Sequence, residues 1–263
     1  MIKTSRVDFH NPEFQTYKIQ RDDLVEKEKL FLADGLKVVE RLILSTYPIR
    51  EIICLEKYLP KLELLAPNRK DFPPVFIGTE EELRTIRGYD LHQGIMAVSQ
   101  VPDLDATEIN APLVILNNVL EANNIGSIIR SAVALGVNNC LIDESTCHPY
   151  IRRSVRVSMG TILKIYIKRT YNLSQEIQKL QEKGVTIFGT SIRPIGDKPL
   201  LNFYKTTFPA KSAIILGNEA KGVSEEILNL CDHHIYIPME NGVDSLNVSV
   251  SGAILISGLK RSI

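Results

Sequence analysis

The chain has 263 residues, 44% of them hydrophobic and 24% charged, which is the composition of a globular protein and excludes a disordered one. Its 31 basic and 31 acidic residues give a formal net charge of zero, so there is no global basic field of the kind that announces nucleic-acid binding. Any surface that binds nucleic acid must therefore be local.

Neither the cysteines nor the first residues suggest a metal site, secretion or membrane insertion. Cys54, Cys140, Cys147 and Cys231 form no CxxC pair and are not spaced as zinc ligands, so we expect reduced, structural thiols and no metal. The N-terminal residues lack the apolar segment of a signal peptide, and no run of about 18 apolar residues occurs. The sequence thus predicts a cytoplasmic protein without a membrane partner.

Helix and strand patterns alternate in the first part of the chain. Residues 1–20 show no period, and the apolar positions of 22–44 fit helical spacing with a break at Asp34-Gly35, which predicts two helices or one bent helix. Thr79 and Glu82 form a capping box that begins a further helix. This order predicts a small α/β unit with a mainly parallel sheet. Its predicted strands are 49–55, 75–77 and 94–99.

A segment with two prolines and three acidic residues, 99–112, is typical of a linker and places a domain boundary near residue 105. After it the alternation repeats with more apolar strands. The predicted strands are 113–116, 140–142, 164–168, 185–188, 213–216 and 235–237, and the predicted helices are 125–135, 174–183, one capped by Ser224, and 247–260. Residues 1–105 are therefore predicted to form the smaller α/β domain, and 106–263 an α/β domain with helices on both faces of its sheet.

Polar loops follow several of these strands, at the edge where open parallel sheets bind ligands. Asn124 and Gly126 begin a helix that carries Arg130, which fits either a phosphate or ribose cradle or an ordinary helix cap with a surface arginine. The loop 217–223 has neither the dinucleotide-binding nor the P-loop glycine spacing. The segment 237–251 places a polar turn between a strand and an apolar helix, which is a common position for a ligand site.

Together these segments resemble a known family. They look like the three ordered motifs of the SpoU (TrmH) family of RNA ribose 2′-O-methyltransferases, within the SPOUT superfamily. The matching patterns are Asn124-x-Gly126-x-x-x-Arg130, Leu216-Gly217-Asn218-Glu219-x-x-Gly222, and Ile237-Pro238-Met239 through Ser245-Leu246-Asn247-Val248-Ser249, with Arg156-Val157-Ser158-Met159-Gly160 resembling a further family segment. Glu121 and Ala122 depart from the Asp and Pro that are frequent in the family.

The resemblance implies a fold and a cofactor. The fold would be a SPOUT-type α/β domain with a deep trefoil knot, preceded by a smaller α/β domain that recognises the RNA substrate. Members are usually homodimers, so a dimer through the C-terminal domain is expected. The implied cofactor is S-adenosylmethionine, and the residues implied to hold it are Thr190, Leu216, Gly217, Ile237, Leu246 and Val248.

The resemblance also implies the catalytic residues. Arg130 would be central, and the residues around it would be Asn124, Glu219, Ser245 and Asn247. Because arginine holds its proton tightly, we expect Arg130 to clamp a phosphate and to orient and polarise the ribose hydroxyl, and we leave open whether it accepts the proton.

A local cluster of cations, Arg152, Arg153 and Arg156, is the candidate RNA-phosphate surface together with Arg130. The alternative is a solvated helix face with ion pairs. The predicted function is methyl transfer from S-adenosylmethionine to a ribose 2′-hydroxyl in ribosomal or transfer RNA. The alternative function is a non-catalytic RNA-binding or ribosome-assembly module on the same fold, while a nucleotide-dependent oxidoreductase lacks its glycine fingerprint.

Overall fold

The computed structural model describes residues 2–6, 21–87 and 94–260, and the chain forms two compact units. The first unit comprises Met1–Pro102 and His148–Leu163, and the second comprises Asp103–Cys147 and Lys164–Ile263. The division after Pro102 lies close to the predicted boundary. The first unit also includes a segment from the second half of the sequence, which the predicted domains did not anticipate. The functions assigned to the two domains stay predictions.

The first unit is built on a five-stranded mixed sheet. Its strands are β1 (Thr4–Arg6), β2 (Leu30–Asp34), β3 (Ile49–Leu55), β4 (Val75–Gly78) and β5 (Ile95–Gln100), in the order β1-β4-β3-β5-β2. Strand β4 pairs parallel with β1 and β3, whereas β5 pairs antiparallel with β2 and β3. The prediction of a mainly parallel sheet is therefore wrong for this unit. Its helices include α1 (Arg21–Glu26), α2 (Leu36–Ile43), α3 (Leu59–Leu65) and α4 (Glu80–Arg87).

The helical prediction for residues 22–44 is wrong in its middle part, because β2 separates α1 from α2. All five residues of β2 are buried, and a short buried strand that begins with four apolar residues cannot be distinguished from a buried helix by periodicity alone. Strands β3, β4 and β5 confirm the predictions, as does the capping box. The Thr79 N–H donates to Glu82 Oε2 at 2.7 Å, and the Glu82 N–H donates to Thr79 Oγ1 at 3.2 Å. Residues 7–20 lie outside the described residues.

The second unit is built on a sheet of seven parallel strands. They are β6 (Leu113–Asn117), β7 (Asn139–Asp143), β8 (Tyr166–Thr170), β9 (Thr186–Thr190), β10 (Leu200–Asn202), β11 (Ser212–Gly217) and β12 (His233–Tyr236), in the order β10-β12-β9-β11-β6-β7-β8. The remaining α-helices of the described residues are α5 (Ala122–Ala134), α6 (Arg152–Val157), α7 (Leu173–Glu182), α8 (Glu225–Leu230) and α9 (Val248–Lys260), of which α6 lies in the first unit.

Helices cover both faces of the parallel sheet, as predicted. On one face, Ile215 of β11 belongs to a buried apolar cluster with Ile177 of α7 and Ile227 of α8. Its neighbour Leu216 points to the other face, where its side chain packs against Gly252 of α9. The α/β class is thereby confirmed, and the trefoil knot stays a prediction.

Three local details of the second unit differ from the predictions. Strand β10 was missed, and Lys164 lies in a 3₁₀ turn rather than in a strand. Ser224 is at the N-cap position of α8, but its side chain makes no capping hydrogen bond. Gly184 follows α7 with φ +78°, which confirms its predicted role at the end of that helix.

Three of the four cysteine thiols are fully buried. Burial raises the pKa of Cys54, Cys140 and Cys231 to about 12, so these thiols stay protonated at neutral pH. Within the described residues, no cluster of three or more potential metal ligands occurs. No helix in that part of the chain has both the length and the apolar character needed to cross a bilayer.

Aromatic packing ties the segment His148–Leu163 into the first unit. The Tyr150 ring is fully buried, its centroid lies 5.2 Å from that of Phe31, and its hydroxyl forms a 2.7 Å hydrogen bond with the Tyr47 hydroxyl. Tyr47 also meets Phe31 edge-on at 6.1 Å between ring centroids. The burial of Tyr150 therefore depends on residues more than 100 positions away in the sequence.

We expect a fragment of residues 106–263 to fold poorly, because it lacks the aromatic side chains that bury Tyr150. The exposed apolar surface should bind the dye anilinonaphthalene sulfonate, and thermal unfolding followed by circular dichroism should be broader than that of the full chain. Cooperative unfolding of the fragment without dye binding would contradict the assignment of His148–Leu163 to the first unit.

Candidate active site

The carboxyl ends of four neighbouring strands meet at one edge of the parallel sheet. Gly217 at the end of β11 pairs in register with Asn117 at the end of β6, and Ile235 of β12 pairs with Thr190 at the end of β9. Because all of these strands run in the same direction, the loops that follow them begin at this edge. The predicted catalytic and cofactor residues lie in these loops, at the ends of β9 and β11, and on the helices α5 and α9 that follow two of the loops.

The carboxylate of Glu219 joins the loop after β11 to the start of α5. Its Oε1 accepts hydrogen bonds from the Asn124 side-chain amide at 2.8 Å and from the Glu121 backbone N–H at 3.1 Å. Its Oε2 accepts from the Leu120 backbone N–H at 3.3 Å. A negative charge beside the N-terminus of a helix is also favoured by the helix dipole. Glu219 therefore holds the loop after β6 in place.

Asn124 extends this network to the start of α9. Its Oδ1 accepts from the Asn247 side-chain amide at 3.0 Å. The Asn247 Oδ1 in turn accepts from the Ser249 backbone N–H at 2.8 Å and from the Ser249 hydroxyl at 2.7 Å. Glu219, Asn124 and Asn247, one from each of the three motifs, thus form a continuous chain of hydrogen bonds.

The hydrogen bonds set the charge state of Glu219. Burial raises the pKa of its carboxyl, but the bonds from the Asn124 amide and from the backbone N–H groups of Glu219, Glu121 and Leu120 outweigh burial and leave the pKa below its usual value. Glu219 is therefore a carboxylate at neutral pH. A group with a lowered pKa is a poor general base, so its arrangement suits a fixed acceptor.

Two predicted catalytic residues are not part of this chain of bonds. Arg130 lies on α5 with its side chain exposed, and it forms no hydrogen bond or salt bridge with any residue of the ranges 2–6, 21–87 and 94–260. Ser245 lies in the exposed loop before α9 and likewise has no side-chain partner in those ranges. Both side chains can therefore meet a ligand without first breaking a bond within the described part of the chain.

A second carboxylate at this edge, Asp143 at the end of β7, was not predicted. Its Oδ2 accepts from the Asn117 side-chain amide at 2.8 Å and from the Asn118 backbone N–H at 2.9 Å, and its Oδ1 accepts from the Thr146 hydroxyl at 2.6 Å. The Asn117 Oδ1 then accepts from the Ser224 backbone N–H at 2.9 Å. The signal in the sequence was a single acidic residue that ends an apolar strand.

Gly217 is required by the fold of its own loop. A Cβ at this position would collide with the backbone of Gly222 and Val223. Gly222 has φ +72°, and it exchanges two backbone hydrogen bonds with Asn218, at 2.8 and 3.0 Å. The two glycines of the second motif therefore shape a tight turn that presents the following Glu219.

The residues implied to hold the cofactor offer an uncharged surface. Ile237, Val248 and Thr190 are half-buried and Leu246 is 36% exposed, so their side chains remain partly accessible, whereas Leu216 is 1% exposed and can contribute only its backbone. Within the described residues, the loop 237–246 makes one backbone–backbone hydrogen bond, from the Val243 N–H to the Glu240 carbonyl. Accessible apolar side chains beside open backbone donors and acceptors fit the adenine and amino-acid parts of S-adenosylmethionine.

The three arginines of the predicted RNA surface have different environments. Arg152 donates from Nη2 and Nε to Asp34 Oδ2, at 2.7 and 3.2 Å, and the two side chains are only 11% and 2% exposed. This buried pair does not fit a phosphate-binding role for Arg152. Arg153 is exposed and Arg156 is half-buried. The pattern in the sequence could not separate these roles, because the three residues are of one type.

Comparison with known proteins identifies relatives of the whole chain. The model of the SpoU rRNA Methylase family matches residues 111–257. The chain is 27% identical over 250 residues to an uncharacterized tRNA/rRNA methyltransferase of Mycobacterium tuberculosis, covering 92% of this chain and 85% of the relative. It is 26% identical over 238 residues to the 23S rRNA (guanosine(2553)-2′-O)-methyltransferase RlmP of Bacillus subtilis, covering 89% and 90%.

A solved structure supports the fold. The AdoMet-bound rRNA methyltransferase from Sinorhizobium meliloti matches with a TM-score of 0.81 at 21% identity, covering 99% of this chain and 98% of that chain. With the family match, this likeness confirms the resemblance predicted from the three motifs and the fold class of the parallel sheet.

We expect Glu219→Gln to weaken the hydrogen bonds that hold the site together. A glutamine side chain has one accepting oxygen, whereas the donors around Glu219 contact both of its carboxylate oxygens. The free energy of unfolding should fall by about 1 kcal/mol, a modest cost because the carboxylate also faces water. Chemical denaturation would measure it. Glu144→Gln, which alters an exposed carboxylate in the turn after β7, is the matched control and should stay near the wild type. Equal losses in the two variants would refute the special role of Glu219.

The pH dependence of this difference follows from the lowered pKa of Glu219. A carboxyl whose pKa is lower in the folded state contributes stability that is present above its unfolded pKa, about 4.3, and is lost as pH falls through the folded value. The stability difference between wild type and Glu219→Gln should therefore be constant above about pH 5 and shrink below about pH 4. A difference that grew on acidification would show the opposite shift.

Proposed function

Because the chain belongs to the SpoU rRNA Methylase family, whose model matches residues 111–257, we propose that it transfers a methyl group from S-adenosylmethionine to a ribose 2′-hydroxyl in RNA. The chain of hydrogen bonds through Glu219, Asn124 and Asn247 carries this proposal, since it unites the three motifs at one edge of the sheet. The names of relatives, including the 23S rRNA methyltransferase RlmP of Bacillus subtilis, favour ribosomal RNA as the substrate, with transfer RNA as the other candidate.

The cofactor would lie against the surface formed by the ends of β9, β11 and β12 and by the start of α9. Leu246, Ile237 and Val248 would contact adenine through their accessible apolar side chains, while Thr190, Leu216 and Gly217 would contribute mainly backbone groups. When bound, S-adenosylmethionine supplies an electrophilic methyl group. The protein's own task is then to align the ribose hydroxyl with that group and to exclude competing geometries.

Arg130 is the residue that we propose to bind the RNA at the reacting nucleotide. Its guanidinium stays protonated and presents several N–H donors, which suits a phosphate or a ribose oxygen. A positive charge beside the 2′-hydroxyl favours loss of its proton as the oxygen attacks. Asn124, Asn247 and Ser245 would orient the ribose, and Glu219 would fix Asn124. Arg130 is proposed as the clamp, and the group that finally accepts the proton is not assigned.

Further RNA contacts would come from Arg153 and Arg156 on α6. Arg152 is left out of the predicted RNA surface because it is bonded to Asp34. We also propose that residues 1–105 recognise the RNA and that the protein acts in the cytoplasm as a homodimer. Helix α9 supports the dimer, since Val250 is 49% exposed and the neighbouring Ala253 and Ile254 are only half-buried.

The experiment that tests this function uses the purified protein, radiolabelled S-adenosylmethionine, and unmodified ribosomal and transfer RNA made by in vitro transcription. Label should enter RNA at a single nucleotide, and the modified site should resist alkaline hydrolysis because its 2′-oxygen is methylated. Binding of RNA without transfer of label to either RNA would support the non-catalytic RNA-binding module.

We expect Arg130→Ala to lower kcat/KM for RNA by about 100-fold or more, because one donor to the developing charge is lost. Binding of S-adenosylmethionine, measured by calorimetry, should not change. Lys211→Ala is the control, since it removes another exposed cation of the second unit, next to the amino end of β11. Unchanged activity of Arg130→Ala, or an equal loss in both variants, would reject the role assigned to Arg130.

A further inference from the structure

The crossover from β7 to β8 passes through the first unit, where it forms the cationic helix α6. We propose that Asp34 and Arg41 are positioning residues for RNA binding, because they hold α6 so that Arg153 and Arg156 face the RNA. The inference rests on the proposed function for the identity of the ligand. Neither Asp34 nor Arg41 would touch the RNA itself.

The start of α6 is held by a buried ion pair. Asp34 is the last residue of β2 and is buried, and Arg152 is the first residue of α6. Both Nη2 and Nε of Arg152 donate to the same Asp34 oxygen, at 2.7 and 3.2 Å. Separating the two partners of a buried pair would leave each charge without compensation, which is costly. The pair therefore favours one position for the start of α6.

The end of α6 is held by Arg41 of α2. Its Nη1 donates to the Met159 carbonyl at 2.6 Å, two residues after the helix ends. The chain turns there through two left-handed residues, Met159 with φ +54° and Gly160 with φ +78°. A Cβ on Gly160 would lie 3.3 Å from Arg41 Cδ and 3.4 Å from Val38 Cα, so this turn packs closely on α2. The helix is thus fixed at both ends.

The side chains of α6 fall into a buried group and a more exposed group. Ser154, Val155 and Ser158 are buried against the first unit, together with Tyr150 just before the helix. Arg153 is exposed and Arg156 is half-buried. A helix that is held on one side can present two cations with little conformational entropy to lose when phosphates bind. The cluster therefore has one arginine that anchors the helix and two that face outward.

The test measures RNA affinity of the full chain by filter binding at several salt concentrations, with unmodified 23S rRNA transcribed in vitro as the probe. Asp34→Asn should raise Kd roughly tenfold and reduce the slope of log Kd against log salt by about one, since each lost phosphate contact removes about 0.7 to 0.9 from that slope. The double variant Arg153→Ala with Arg156→Ala should raise Kd at least as much and reduce the slope by about 1.4 to 1.8, because it removes two phosphate contacts. The affinity for S-adenosylmethionine should be that of the wild type in both.

Two further variants separate positioning from loss of structure. Glu40→Gln is the control, because Glu40 also lies on α2 but its ion pairs are with Lys61, at 3.1 Å, and Lys37. This variant should leave the RNA affinity unchanged. Arg41→Gln removes a hydrogen bond at the surface, so it should fold even if Asp34→Asn does not, and it should raise Kd about threefold.

The inference would be overturned if folded Asp34→Asn and Arg41→Gln kept the wild-type Kd and salt slope, or if the double arginine variant bound RNA as the wild type does. Methyl transfer by the wild-type protein would still establish the proposed function in either case. Conversely, the expected pattern of RNA affinities in a protein that transfers no methyl group would reject the proposed function and support the positioning of α6.

Discussion

The arrangement of the site depends on the Glu219 carboxylate, which can only accept hydrogen bonds. Asn124 must therefore turn its amino group toward Glu219, and this leaves the Asn124 carbonyl oxygen for the Asn247 amide. Asn247 then has its own carbonyl oxygen left for Ser249 at the start of α9. One negative charge thus sets the orientation of two amides across three segments that are distant in the sequence.

Asp143 has an equivalent role on the neighbouring strand. Among the described residues it accepts only from neutral donors, and through Asn117 it reaches the backbone of Ser224 before α8. Within the same part of the chain, both carboxylates are thus satisfied by N–H and O–H groups and not by a cation. Arg130, the central residue of the proposed chemistry, keeps its charge available because it is not among the described donors to either carboxylate. A site that must bind an anionic polymer gains from this separation.

Local patterns in the sequence predicted the elements that have a local signature. Strand β3 is a buried run with clear ends, and the capping box of Thr79 and Glu82 needs only four residues. Strand β2 was assigned to a helix because its identity depends on pairing with β5, more than 60 residues away. Family resemblance predicted Asn124, Glu219 and Asn247, but not the direction of their bonds. Asp143 was missed because a lone aspartate after a strand also occurs in ordinary turns.

The arginines of α6 show why residue type alone cannot assign a role. Arg152 and Arg153 are adjacent and identical in chemistry, yet Arg152 is nearly buried in a bond with Asp34, which lies 118 positions earlier, whereas Arg153 is exposed. The family match, residues 111–257, includes all of His148–Leu163, but this segment packs within the first unit. The residues proposed to recognise RNA and those proposed to arrange methyl transfer are therefore not separated by the boundary near residue 105. On this proposal, a change in the first unit would alter the presentation of α6 without touching the carboxyl edge of the parallel sheet, and RNA affinity and methyl transfer would have separate structural controls within one chain.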